Sequence, residues 1–297
     1  MFAFWMLIAS AFFALMGVSV KLVANQVGFI DIIFYRSFIN MLIVLFFIKI
    51  NRLGFKTNHF KLHMKRAVIG NFAMYSGFYA LIHLPIATAT TLGYTNPIFQ
   101  SIIIFITNKK QLSIKLLLSV FIGFAGILVL LHPDTSNNET SAAAVGLLSG
   151  LLTALAYFNV GKLVRAGEPE LRVVFYFSLV GSVIGGILLL IHGYSPLNIK
   201  TFMNVCAIGI FGSLGQISMT RAYGRGSAII VSILSYSTII FSTGLGYFLF
   251  GELLTSTSIL GILLIVLSGI IAIVRRSPAP VVEVTQEKII ARQDAAS

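Results

Sequence analysis

Arg36 is the residue with the most chemistry to explain, because it stands in an apolar stretch, more than a helical turn past Asp31 and fifteen residues after Lys21. An ionisable side chain at the centre of a bilayer costs about 2.5–3.5 kcal/mol on insertion scales, so such a residue normally marks a pathway or a partner. Two readings of Arg36 stay open: its stem snorkels to nearby headgroups or toward Asp31, or its guanidinium is offered to a carboxylate. Lys162 stands in the second half of the chain where Lys21 stands in the first, so a cation falls near each end of any passage between them.

Uncharged polar residues in apolar runs raise the same question, since an unsatisfied polar group in hydrocarbon is costly and turns toward a cavity or another helix. Arg36, Asn40, Asn71, Tyr75, Tyr79, Tyr94, Asn96, Gln100, Tyr157, Asn159, Gln216 and Tyr236 are the candidates for lining a cavity. Asn71, Tyr75 and Tyr79 recur every four residues and share one helix face, as do Asn96 and Gln100. The competing role is helix-to-helix hydrogen bonding, worth about 0.6 kcal/mol per bond in membrane proteins.

Several chemistries are absent. His59 and His63 have the spacing of metal ligands on a helix, but they lie in a basic segment with no cysteine or acid nearby, so no metal site is expected. No Walker A stretch or dinucleotide fingerprint occurs, and no cofactor is implied. Neither paired carboxylates nor an acid–histidine cluster is available for hydrolysis at an interface, and the lone Cys206 excludes an internal disulfide.

The elements that position these residues follow from composition. Of 297 residues 57% are hydrophobic and 10% charged, with a mean hydropathy of +0.96. That balance fits a chain whose solvent is lipid. A hydrocarbon core of about 30 Å needs about 20 helical residues. Apolar runs of that size recur near 2–24, 31–48, 67–84, 88–107, 114–131, 143–163, 173–191, 201–220, 227–249 and 256–274. Phe121 to Leu131 and Gly261 to Val274 are apolar on every face, which excludes the alternation of a membrane barrel. The first run lacks the basic start of a signal peptide and reads as a retained helix.

Ten helices with both termini inside place 18 of the 21 Lys and Arg on the cytoplasmic side, leaving only Lys21, Arg36 and Lys200 elsewhere. The net charge of +12 is thereby explained without a nucleic-acid partner. An offset of about 141 residues superposes the halves: Lys21 falls on Lys162, Phe34-Tyr35 on Phe175-Tyr176, Ala87 on Ala228 and Gln111 on Glu252. The expected organisation is a first repeat over 1–131, an external linker over 132–142, a second repeat over 143–276 and a cytoplasmic tail over 277–297. Five crossings per repeat invert the second relative to the first.

The stretch Ala80-Leu-Ile-His-Leu-Pro-Ile-Ala-Thr-Ala-Thr-Thr-Leu-Gly-Tyr-Thr-Asn-Pro97, followed by Gln111-Leu-Ser and Gly126-Ile-Leu-Val-Leu, resembles the EamA-type repeat of the drug/metabolite transporter superfamily. Its counterpart runs from Ala222-Tyr-Gly-Arg-Gly-Ser-Ala228 through Ser235-Tyr-Ser to Gly251-Glu252 and Gly261 to Gly269. The resemblance covers nearly the whole chain up to Arg276. Two positions depart from it: Thr238 stands at the second-half proline position, and Gln111 at the first-half acid position.

The resemblance implies an all-α membrane carrier, ten helices in two inverted five-helix repeats around a central cavity. Helices 5 and 10 are then peripheral, facing lipid or forming a homodimer. The expected activity is secondary transport of a small polar or amphipathic metabolite, such as an amino acid, S-adenosylmethionine, a vitamin or a drug, across the cytoplasmic membrane. None of the nine acids lies at mid-membrane, so proton coupling would fall to Asp31 or Glu252 at helix ends, and exchange or facilitated diffusion fits better. Lys21, Asp31, Lys162 and Glu252 are the charges expected along the access routes. Helices 3 and 4, interrupted by Pro85, Gly93 and Pro97, are expected to bend as the halves rock. The rival reading is a non-transporting membrane enzyme or assembly partner.

Overall fold

A computed structural model describes residues 2–24, 26–107, 113–132, 140–251, 253 and 255–274, and every regular element among them is an α-helix. Twelve helices follow in order: α1 (Phe2–Val23), α2 (Phe29–Ile50), α3 (Phe60–His83), α4 (Ile86–Gly93), α5 (Asn96–Thr107) and α6 (Ile114–Leu131) from the first half. The second half supplies α7 (Thr140–Arg165), α8 (Glu170–His192), α9 (Ile199–Arg225), α10 (Ala228–Leu234), α11 (Ser237–Phe250) and α12 (Ser256–Val274). Among the described residues, eight segments are long and apolar enough to cross a membrane, the joined α10–α11 among them. α3, which carries Lys61, Lys65 and Arg66 in its first two turns, and the short pair α4–α5 are not among them. Glu252, Gln111 and the tail lie outside the described residues.

The apolar runs near 88–107 and 227–249 each read as one crossing in the sequence, the first with an interruption at Gly93 and Pro97, and each is broken at its middle. The first breaks at Tyr94-Thr95 and the second at Ser235-Tyr236, positions related by the same offset of 141. Each break frees carbonyls that side chains three residues on then satisfy: Asn96 Nδ2 donates to Gly93 O and Thr95 Oγ1 to Leu92 O, while Ser237 Oγ donates to Leu234 O and Ser235 Oγ to Ser232 O. Pro97 reinforces only the first break, having no N–H to give. Its counterpart Thr238 keeps the break and donates its N–H to Ser235 O. Short polar side chains that compete for backbone groups therefore suffice to break the helix without proline.

Helix pairing in one half of the chain largely corresponds to helix pairing in the other. The closest helix pairs are α1 with α9 and α3 with α7, which exchange when the halves are swapped, and α6 with α12 and α2 with α8, which map onto themselves. The pairing of α2 with α9 matches that of α8 with α3, and α1 with α11 matches α7 with α5. Departures from this symmetry include α7 on α9, α8 on α9 and α5 on α10, whose counterparts, α1 with α3, α2 with α3 and α4 with α11, meet marginally at most.

α6 and α12 pack on one another at the edge of the bundle and expose Leu118, Phe121, Leu128, Leu263 and Leu267 on the far side. Two further clamps fix α2 and α8, each through its third residue. Asp31 accepts from Ser195 N and Oγ, at 3.1 and 2.9 Å, in the loop before α9. Arg172 donates from Nε and Nη2 to Gly54 O, at 3.0 and 2.7 Å, in the loop before α3. A carboxylate thus holds an amide donor on one side, and a guanidinium holds a carbonyl acceptor at the matching place on the other.

Candidate functional site

Between the halves lies a cavity of about 390 Å³. α3 supplies the largest share of the wall, through Arg66, Gly70, Ala73, Met74, Gly77, Phe78 and Leu81. The small residues Gly70, Ala73 and Gly77 open the space, and larger side chains at their places would close it. α1 contributes Met6, Phe13, Met16 and Val20, while α4 and its break contribute Ala89, Thr90, Gly93, Tyr94 and Asn96. Ser149, Thr153, Ala156 and Tyr157 of α7 face them, and Arg36, Phe177, Gln216, Ser235 and Thr238 complete the polar and aromatic lining. No carboxylate is among the lining residues.

Arg36 is 8% exposed, so it does not snorkel to a headgroup, and its ion-pair reading with Asp31 also fails, since Asp31 is taken up by Ser195. Its Nη1 instead points at the Met74 sulfur at 2.7 Å and its Nε at the Met16 sulfur at 3.4 Å. A thioether is a weak acceptor, so the charge stays largely uncompensated. Arg66, 2% exposed, lies over the Phe177 ring at 3.9 Å and reaches Gln216 Oε1 at 3.4 Å, with Nε and Nη1 left unpartnered. Sequence reading counted Arg66 with the cytoplasmic cations. The signal that could have found it is the run of small residues following it at helical spacing, Gly70, Ala73 and Gly77, which leaves a long side chain nothing to pack against but space.

Of the twelve residues expected from sequence to line a cavity, Arg36, Tyr94, Asn96, Tyr157 and Gln216 come together around this space. Asn71, Tyr75 and Tyr79 do not. They share one face of α3 as their spacing requires, but the opposite face lines the cavity. Asn71 donates to Ala67 O and Phe177 O, and Tyr79 is 42% exposed beside His83. Periodicity fixes which residues share a face and leaves open where that face points.

Gln100 is buried outside the lining, its amide unpartnered, and Asn40 and Asn159 are buried away from it too. Tyr236 turns its ring against Gly123 of α6 and approaches Tyr94 only from behind, at 6.2 Å between ring centres. The access-route charges also lie off the cavity: Lys21 sits over the Phe250 ring, Lys162 over Phe158, and Asp31 holds Ser195. Glu252 is outside the described residues.

One end of the cavity is shut. Beyond Tyr157 and Phe177 come the fully buried Val160, Leu163, Val173, Met219 and Tyr223, and then a polar cluster that sequence reading missed. Glu168 accepts from Thr57 Oγ1, from Arg172 Nη1 at 2.8 Å and from His63 Nε2 at 3.1 Å. His63 therefore serves an ion-pair network, and among the described residues no group of three metal-ligating side chains occurs. Burial raises the Glu168 carboxyl, but the bonds from Thr57, Arg172 and His63 and the Arg172 charge outweigh it and hold it below the usual carboxylate range.

That depressed carboxyl makes a pH prediction. Its contribution to stability is present above the unfolded pKa of about 4.3 and is lost as pH falls through the lower folded value. The protein in detergent is expected to melt higher than its Glu168→Gln variant at pH 7, with the gap closing below about pH 4. An unchanged gap across that range would contradict the assignment.

A family model described as the EamA-like transporter family matches residues 1–132 and 140–274. The chain belongs to the EamA-like transporter family. This EamA-like transporter is 28% identical over 265 residues to a pseudopaline exporter of Pseudomonas aeruginosa, covering 89% of this chain and 92% of the relative. It is 30% identical over 275 residues to an uncharacterized transporter of Helicobacter pylori, with the same coverages. An S-adenosylmethionine uptake transporter of Rickettsia prowazekii is 22% identical over 264 residues, or 88% of each chain. One solved crystal structure superposes with a TM-score of 0.81 at 16% identity, covering 92% of this chain and 95% of the other, a likeness of fold alone. The all-helical fold and the membership together make the chain a multi-pass membrane transporter of small molecules.

Proposed function

We propose that this EamA-like transporter is a secondary carrier with ten crossings in two inverted repeats, residues 1–131 and 143–276, both termini cytoplasmic, and that the structure is its outward-open state. The observation that carries the reading is an asymmetry between symmetric parts. α3 gives seven residues to the cavity wall, and its counterpart α9 gives Gln216 alone. α4 gives Ala89, Thr90 and Gly93, whereas all seven residues of α10 are buried. Contacts agree: α7 is closed on α9 and α5 on α10, while α1 and α3, the counterparts of α7 and α9, part around the cavity.

Exchanging the two conformations between the repeats would close the α1–α3 side and open the α7–α9 side. The Glu168 cluster lies on the side now shut and would part in that exchange. Arg36, Tyr94, Tyr157, Gln216, Asn96 and Arg66 form the substrate site under this reading. α6 and α12 stay peripheral, against lipid or a second copy. Exchange or facilitated diffusion needs no buried acid, and the lining holds none.

The offset of 141 pairs Thr90 with Val231, which is fully buried. In a Cys206→Ser background, Thr90→Cys should react with an impermeant maleimide from outside the cell and Val231→Cys from inside, with labelling at either site reducing labelling at the other. Reaction of both from one face only would refute alternating access and favour a fixed membrane enzyme or assembly partner.

A further inference from the structure

Two buried guanidiniums share the cavity without an acid. Burying a charge costs several kcal/mol unless it is paired, and buried unpaired charge in a membrane marks function. A Cβ at Gly212 would lie 3.5 Å from Arg36 Nε, and Gln216, one helical turn along α9, holds Arg66 at 3.4 Å. Positions one turn apart are neighbours on a helix surface, so the two cations meet adjacent positions on one face of α9. Around them the wall is apolar and aromatic: Phe13, Met74, Phe78 and Phe177.

From this geometry we infer that the substrate is an organic dicarboxylate with an apolar or aromatic body, its two acid groups taken separately by Arg36 and Arg66. The inference rests on the cavity being the substrate site. Each guanidinium offers a planar fork that matches a carboxylate with two parallel hydrogen bonds. The present partners are two thioethers for Arg36 and a long amide contact for Arg66, weak contacts that a carboxylate would displace. Arg66 Nη1 folds back over Gly70, the position that a Cβ would fill at 2.5 Å, so the cradle for this side chain depends on that glycine.

Equilibrium titration of the purified full chain in non-ionic detergent, with phenylsuccinate and 3-phenylglutarate as probes, tests this directly. At least one of them is expected to bind about tenfold or more tightly than 3-phenylpropionate, which has a single acid group, and than phenyl phosphate, whose two charges sit on one group. Arg36→Gln and Arg66→Gln should each weaken that binding by about tenfold or more, with melting curves showing the variants folded. Gln216→Glu supplies Arg66 with a carboxylate from within the chain and should raise the melting temperature while weakening the dicarboxylate by a similar factor.

Equal binding of the neutral diamide of phenylsuccinate, unchanged affinity in these variants, or no dicarboxylate binding at millimolar concentration would overturn the assignment. Binding needs no turnover, so the two proposals fail separately: the cysteine experiment tests alternating access whatever the ligand, and the titration tests the ligand whatever the movement.

Discussion

Gly150→Val is expected to reduce transport by at least about tenfold in reconstituted vesicles while the protein still inserts. α7 crosses the break between α4 and α5 at this residue, where a Cβ would lie 2.9 Å from Leu92 O and 3.4 Å from Gly93 O. Those carbonyls are the ones the break releases, and Thr95 and Asn96 hold them. A branched side chain would push α7 off the unwound turn and shift Tyr94 and Tyr157, which line the cavity from these two elements. Gly244→Val is the control, because a Cβ there meets nothing within 4 Å. Transport by Gly150→Val at the level of Gly244→Val would show that the α7 crossing does not set the geometry of the break.

The largest loss of stability is expected at the other close crossing, Gly126 against Gly261. A Cβ at Gly126 would lie 2.8 Å from Gly261 O, and one at Gly261 would lie 2.7 Å from Gly126 O and 2.9 Å from Leu130 N. Backbone on both sides leaves no flexible side chain to yield, so either Gly→Val substitution must part α6 from α12. Overpacking of this kind costs about 1–3 kcal/mol, and backbone contact puts these sites at the upper end. Both variants should melt well below Gly244→Val in the same detergent. Equal melting would mean that α6 and α12 separate freely and are not held by this contact.

The element boundaries were legible because apolar length is a strong signal in a membrane chain. The runs read at 114–131 and 256–274 coincide with α6 and α12. The breaks at Tyr94-Thr95 and Ser235-Tyr236 were legible only in part. Pro97 pointed to the first, but nothing as conspicuous marks the second, where Ser235 and Ser237 perform the same task with hydroxyls. For the site, residue types told more than spacing did. Arg36, Tyr94, Tyr157 and Gln216 reached the cavity as polar groups within apolar runs, whereas the regular stripe Asn71, Tyr75 and Tyr79 faced away, because a period of four carries no information about which neighbour a face meets.

Arg66 and Glu168 were hidden by the opposite cause. Their sequence neighbours, Lys65 for one and the turn Ala166-Gly167 for the other, look solvated, and only the packing of α3 against α7 and α8 takes them inside.

The sulfurs of Met16 and Met74 bear on speed as well as on affinity. A carrier has to release what it takes, and a cation locked to a carboxylate of its own would have to break a strong bond before each passage. Thioethers surrender a guanidinium at little energetic cost, on flexible stems that follow it as it moves. Arg36 is therefore kept from collapsing onto a permanent partner, and under the dicarboxylate proposal an arriving anion would meet a low barrier both at entry and at departure.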